Sequence, residues 1–485
     1  MRGAAAESHD HHSPLHTLWH HLVVATIITC GVYWAGTLGL TGGLDSATLY
    51  TAQQLVSLRT PEKLEYSEAN HEGQPPATVL EISRESYEKV YRGTSPLNRV
   101  ELERQLRPAL DPAAQARLVV IDLDISPATP DDQSGTTLDS LLDSPSNAPV
   151  VLVVPSFRAS SELAQRQSDW MAQRCAAGTS RRPVYFALPE LASEGGAIIR
   201  HSEAYPSVGN VARWATTRAH TEPPTTPANC RAAMRPDIVC AVHGKVRDLD
   251  LLREYFGELS AHCGLAPIDF QSISGSRTAR HRLPDPGAPA LSDLAGRVAF
   301  VGGSYDSRDV HLTGSGPLDG VYIHAAIFAS SSSTLLHLWA VCLEILLGAL
   351  LGHLFGALFA QYQRQSRVYR ESLQVRTIRK AALAWIGSVS IIVVVALFGI
   401  VAAYGLVWSS SYSLARGVWV NPVPLVFGML VDGLVASRID SGAAVRARGR
   451  FPGRLWWVGH ASGVLATVFF AATLIDVVVG AFHGH

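Results

Sequence analysis

The sequence predicts an α/β domain, a mainly parallel sheet with flanking helices, joined to an α-helical membrane domain of five spans. Three observations carry this. The runs ATVLEIS, RLVVIDLDI, PVVLVVP, PVYFALPE, PDIVCAV and GRVAFVGG are continuously apolar, as strands covered on both faces are. Amphipathic stretches separate them, and strand alternating with helix argues for an α/β sandwich. Five longer apolar runs each reach about 20 residues, enough to cross a hydrocarbon core of about 30 Å.

The helices expected between the strands cover 96–110, 136–142, 160–177 and 246–259. The first has Ser95 as N-cap and Pro96 at its first position, where a missing N–H costs nothing. Two segments rich in Pro, Gly, Ser and Thr, 202–229 and 272–289, read as loops.

The five apolar runs cover 18–40, 334–359, 381–407, 417–436 and 455–480. Basic residues near span ends resist translocation, so arginine sets the orientation. The loop 360–380 carries Arg364, Arg367, Arg370, Arg376, Arg379 and Lys380, and 437–454 carries Arg438, Arg446, Arg448, Arg450 and Arg454, whereas 408–416 has Arg416 alone. The first two loops are therefore expected in the cytoplasm, with the 1–17 tail. The 45–333 domain and the 481–485 tail fall outside, in the periplasm of a bacterial inner-membrane, multi-pass protein. No A-x-A site follows the first run, which argues for an anchor over a cleaved leader.

Charge is nearly balanced, 40 basic against 41 acidic residues, which excludes a global nucleic-acid surface. Cys175, Cys230, Cys240 and Cys263 all lie in the 45–333 segment, an even number in an oxidising compartment, open to three pairings. Cys30 and Cys342 read as small apolar fillers.

The stretch VGGSYDSRDVHLT, 301–313, follows an apolar strand. It lacks both the G-x-G-x-x-G spacing and the lysine of a phosphate loop, so its glycines suit a tight strand exit. Asp306, Asp309 and His311 have ligand chemistry for a metal, but Asp at strand ends commonly closes an Asx-turn, and no metal or other cofactor is expected. Small molecules bind beyond the carboxyl ends of strands in open α/β sheets. Asp122, Asp124, Asp306, Asp309 and His311 gather at that edge, with Ser156 and Arg158 after the third strand. Arg99 and Arg158 would pair with these aspartates or with an anionic ligand. The bland alternative is an internal salt-bridge network. No G-x-S-x-G or H-E-x-x-H motif is present, so the chain is not expected to be an enzyme, and His324 reads as a packing residue.

Within the apolar runs, Glu344 and Asp432 are intramembrane polar residues, and an ionisable group there is a functional signal. An ion or proton pathway through Glu344, in a transport or channel component, is the alternative function. Gly348, Gly352 and Gly356 share its run and suit close helix contact within the chain or in a homo- or hetero-oligomer. The histidine-rich termini read as tails.

The run ATVLEISRESYEKVYRGTSPLNRVELERQLRPAL, then RLVVIDLDISP, resembles the opening of the CHASE domain of type 2, an extracellular bacterial sensory domain. VAFVGGSYDSRDVHLTGSGPLDGVYIHAAIFAS is similar to its closing signature, G-x-x-x-G-V-x-x-H-A after a D-rich turn. Where the family has P-W-x-R, this sequence has SPLNR and keeps Arg99. The resemblance, over about 48–333, implies a sensory or scaffold protein for signal transduction. No output domain follows the last run, so it further implies a separate cytoplasmic or membrane effector, such as a caspase-like protease or a kinase. The arginine-rich loops would dock that effector or contact membrane lipids.

Overall fold

A computed structural model describes residues 76–330 with gaps, the helix Gly42–Ser57, and parts of 22–34, 340–361, 378–414 and 419–426. The chain divides into two compact units. One comprises Met1–Thr51, Ala340–Ser409 and Val420–His485; the other comprises Ala52–Trp339 and Ser410–Trp419.

The second unit is built on a six-stranded parallel sheet. In chain order its elements are β1 (Ala77–Ser83), α1 (Arg84–Lys89), α2 (Arg99–Leu110), β2 (Leu118–Asp122), α3 (Gly135–Leu142), β3 (Val150–Val153), α4 (Ser161–Ala176) and β4 (Val184–Ala187). There follow β5 (Arg200–Ser202), α5 (Val208–Thr216), α6 (Ile238–Val246), α7 (Leu249–Ala261), β6 (Leu265–Pro267), β7 (Thr278–Leu283) and β8 (Val298–Ser304). The hairpin β9 (Val310–Thr313) and β10 (Gly316–Asp319) leads into α8 (Gly320–Ala329). The strand order is β4-β3-β2-β8-β1-β7, so the last strand of the sheet enters its centre, between β1 and β2.

Period-two alternation explains why the strands are apolar throughout. Leu80, Ile82, Val119, Ile121, Ala299 and Val301 face one core with Leu102, Leu106, Leu138, Met171 and Phe256 of the helices. Ala77, Val79, Leu118, Val120, Val298 and Phe300 face the other, covered by α5 and α8 through Val208, Val211, Val321 and Ile323.

Four local expectations change. PDIVCAV is mostly helix α6, not strand; its buried Val239 and His243 stand four apart, a helical spacing too brief to read in a short apolar run. The 202–229 segment holds α5, whose apolar face is hidden among polar neighbours. The 272–289 segment holds β7, which reads as polar (TARHRL) because it is an edge strand with a single partner, β1. Helix α2 starts three residues later than expected: Asn98 is its N-cap, accepting from the backbone N–H groups of Val100 and Glu101 at 3.0 and 3.2 Å. The four cysteines form Cys175–Cys240, joining α4 to α6, and Cys230–Cys263.

Helix α5 crosses α8 at Gly209. A Cβ there would stand 2.4 Å from the His324 carbonyl oxygen and 2.8 Å from Ile327 Cβ. Backbone cannot yield as a side-chain tip does. Gly209→Ala is therefore expected to destabilise the fold by about 2 kcal/mol, although helix propensity alone would favour Ala by about 1 kcal/mol. Urea denaturation reads the sign directly.

The five-span membrane domain is not upheld. Among the described residues, no helix is long and apolar enough to cross a membrane. The first and second runs are described as helix over 22–31 and 340–355, and the third lies in the helix Ile378–Leu414. The fourth is described only at 419–426, where three non-helical residues precede a short helix, and 455–480 lies outside the described residues. A span needs both a helix of about 20 residues and an unbroken apolar character along it, and no described helix meets the two together. The multi-pass topology and the inner-membrane location with a periplasmic domain depended on those spans and fall with them.

In the first unit, Glu344 is fully buried and its Oε1 accepts from the backbone N–H of Asn421 at 2.7 Å. Gly348 lets its helix approach Ala25 and Leu425, a Cβ there standing 3.6 Å from a side-chain carbon of each, so this small residue serves packing within the chain. The side chains of Arg364, Arg367, Arg370, Arg376, Arg379, Lys380, Asp432, Arg446, Arg448 and Arg450 lie outside the described residues.

Candidate functional site

The three central strands share one row near their carboxyl ends. Glu81 of β1 and Asp122 of β2 both register with Gly302 of β8. With strands about 4.8 Å apart, the two carboxylates flank the glycine on one face at roughly 10 Å separation between Cα atoms. Gly302 has a structural reason: a Cβ would stand 2.6 Å from the Val321 side chain, so its absence lets α8 settle onto the strand. Helix geometry then does the rest. Tyr322 and His324, two residues apart, project to opposite sides of α8. The Tyr322 hydroxyl donates to Glu81 Oε2 at 2.5 Å, and His324 Nε2 stands 3.8 Å from Asp122 Oδ1.

The D-rich turn closes this row. Asp306 accepts from the backbone N–H of Arg308 at 3.0 Å and pairs with its guanidinium, which holds the Asp306 carboxyl below the usual range. Asp309 turns inward instead. Its Oδ2 accepts from the Gly320 N–H at 3.3 Å, placing a carboxylate at the start of α8, where the helix end favours negative charge. His311 Nε2 stands 3.5 Å from Asp309 Oδ1. Tyr305 stacks on Tyr87 with ring centroids 4.2 Å apart.

Exposure falls with depth. The Asp309 and His311 side chains are 47% and 33% exposed, while those of Asp122 and His324 are 11% and 2% exposed. Burial pushes Asp122 up to about 7 and drives His324 down to about 4, so its imidazole is neutral at pH 7. Burial and then the Asp122 charge raise Asp309; burial, with Glu81 and Asp309, raises Asp319.

Other expected site residues are structural. Asp124 Oδ1 accepts from the Ser126 N–H at 2.9 Å, and its Oδ2 accepts from the N–H and hydroxyl of Ser156, tying the exits of β2 and β3 together. Arg99 is buried and donates to the carbonyls of Asp124 and Ser126 at 2.9 and 2.8 Å. It fixes the β2 exit. Arg158 lies outside the described residues. Of the expected group, the structure thus brings together Asp122, Asp309 and His311. It adds Glu81, Tyr322 and His324. The sign of these in the sequence was an acidic residue interrupting or ending an apolar strand, Glu81 in ATVLEIS and Asp122 after LVVI, with Y-x-H two and four residues into α8.

The contrast between the neighbouring aspartates is sharp. Among the described residues no hydrogen bond reaches the Asp122 carboxylate, while Asp124 is fully engaged. No three His, Cys, Asp or Glu side chains among the described residues are placed to hold a metal ion. Fold and site together define an α/β domain with a partly open acidic and histidine cluster at the carboxyl edge of a parallel sheet. Compared with family models, curated proteins and solved structures, the chain finds no match.

Proposed function

We propose that the α/β unit is a sensory binding domain, taking a small ligand at the carboxyl edge of β1, β2 and β8 and relaying occupancy to a separate effector. The observation that carries this is Asp122: a nearly buried carboxylate without a hydrogen bond from the described residues, beside a buried neutral imidazole, at the end of a central strand. Such groups are costly to maintain for packing alone and mark functional sites. The relay element is α8, since Asp309 holds its first N–H and His324 faces Asp122 from its side. A ligand that recruits either group alters the contacts holding that helix. The motif resemblance to type 2 CHASE domains supports the same reading.

A thermal-shift screen of the full chain, using small cations, anions and neutral metabolites, tests it. At least one compound should raise Tm in a concentration-dependent way; at a hundred times Kd the gain is about 2.7 kcal/mol. Asp122→Asn should abolish that shift. A screen without a stabilising compound, or hits indifferent to Asp122→Asn, would sink the reading.

A further inference from the structure

We propose that the Asp122, Asp309 and His324 cluster binds a small organic ammonium ion, whose N–H groups bond to the two carboxylates and to the neutral imidazole. This rests on the binding reading above and names the ligand's chemistry.

Charge is the first argument. Glu81, Asp122, Asp309 and Asp319 interact electrostatically along the row. Of the nearby guanidiniums, Arg308 pairs with Asp306 on the exposed side of the turn, and Arg280 lies over the Tyr322 ring at 4.8 Å, at the Glu81 end of the row and not beside Asp122. A cation beside Asp122 would compensate it where no cationic side chain among the described residues does, because an isolated charge removed from water is costly unless paired.

A buried imidazole adds to the charge. His324 is 2% exposed on its side chain and aims Nε2 at the cluster, where Asp122 Oδ1 stands 3.8 Å away and beyond hydrogen-bond reach, while a backbone hydrogen bond at Pro189 engages the ring. A neutral imidazole offers one lone pair and one N–H. Its lone pair fits a ligand that donates, not a second carboxylate.

Geometry separates an ammonium ion from a bare metal. Divalent cations need several oxygens converging at about 2.0–2.6 Å, and no such trio is present among the described residues. An ammonium group needs only acceptors at hydrogen-bond distance, which spaced carboxylates satisfy. Tyr305, stacked on Tyr87 and close enough to Asp122 and Asp309 to feel both charges, supplies an aromatic wall for an alkyl substituent. The titratable and charged groups facing the site are Asp122, Asp309, His311, His324, Asp319, Glu81, Tyr305 and Tyr322, with Arg280 over the Tyr322 ring.

Calorimetric titration of the full chain with n-butylammonium, tetramethylammonium, n-butanol, acetate and calcium tests the proposal. At pH 8 butylammonium should bind, and Asp122→Asn should weaken it at least tenfold, as should His324→Phe. The wild-type protein carries its own control. Protonation of Asp122 should lower the affinity about tenfold between pH 8 and pH 6, because a group titrating near 7 is mostly ionised at one and mostly neutral at the other. Tetramethylammonium, with charge but no N–H, should bind at least tenfold more weakly than butylammonium. Absence of butylammonium binding, equal binding of butanol or tetramethylammonium, or tighter binding of calcium would overturn the inference. An Asp122-dependent anion or neutral hit in the wider screen would overturn the ammonium assignment and leave the binding reading standing.

Discussion

Replacing Cys175 and Cys240 together with alanine is expected to lower the stability of the α/β unit by about 4 kcal/mol. The bridge closes a separation of 65 residues between α4 and α6, and loop closure in the unfolded chain grows with loop length. Both cysteines pack against the core beneath the sheet, so the helices they join already have an apolar surface to hold them. The variant should therefore fold, with a lower urea midpoint. The second bridge closes 33 residues and should contribute slightly less. A loss below about 1 kcal/mol would mean that the unfolded chain is already restrained near these positions. The acidic row belongs to other elements, so ligand affinity should be unchanged in the double variant.

The second large effect is a pH dependence. Burial lifts Asp122 from the usual carboxylate range to about 7, so the folded state holds its proton more tightly than the unfolded chain does. The sign follows from linkage. This contribution to stability is fully present below the unfolded value and is lost as pH rises through about 7. Asp122→Asn removes the titration and keeps the shape. The variant should therefore gain on the parent as pH rises, by about 3 kcal/mol between pH 5 and pH 8. Denaturation midpoints of both proteins across that window measure it. A constant difference would show that Asp122 is ionised and compensated in the fold, against the site described above. The opposite limb belongs to the histidines. Burial lowers His201 to about 3 and His324 to about 4, so both proteins should lose stability as pH falls below 6.5, when the unfolded imidazoles take protons that the fold refuses.

Much of the sheet was legible because its signal is local. Each of β1, β2, β3, β4 and β8 is an apolar run covered on both faces, and such runs stand out against amphipathic surroundings. The misses have separate causes. Helix α6 carries its helical spacing over too few residues to read, and strand β7 reads as polar because it has one partner only. The long apolar runs misled in the other direction: apolar composition is read along the chain, whereas a span requires a helix both long and apolar enough, and no described helix is.

The site divides in the same way. Asp122 was visible at the end of an apolar run, Asp309 and His311 in the D-rich turn after another, and the even set of cysteines within 45–333 was visible too. The sequence could not pair those cysteines, nor tell Asp122 from Asp124, two residues away on the same strand exit. The sequence by itself determined a parallel α/β core, its strand ends and the residue types gathered there. Only the tertiary structure decided which of them meet. The insertion of β8 between β1 and β2 sets Glu81, Gly302 and Asp122 in one row, and the missing Cβ of Gly302 lets α8 bring Tyr322 and His324 down on either side. Strand order and close approach are contacts between residues far apart in the chain, and a local pattern carries no record of them.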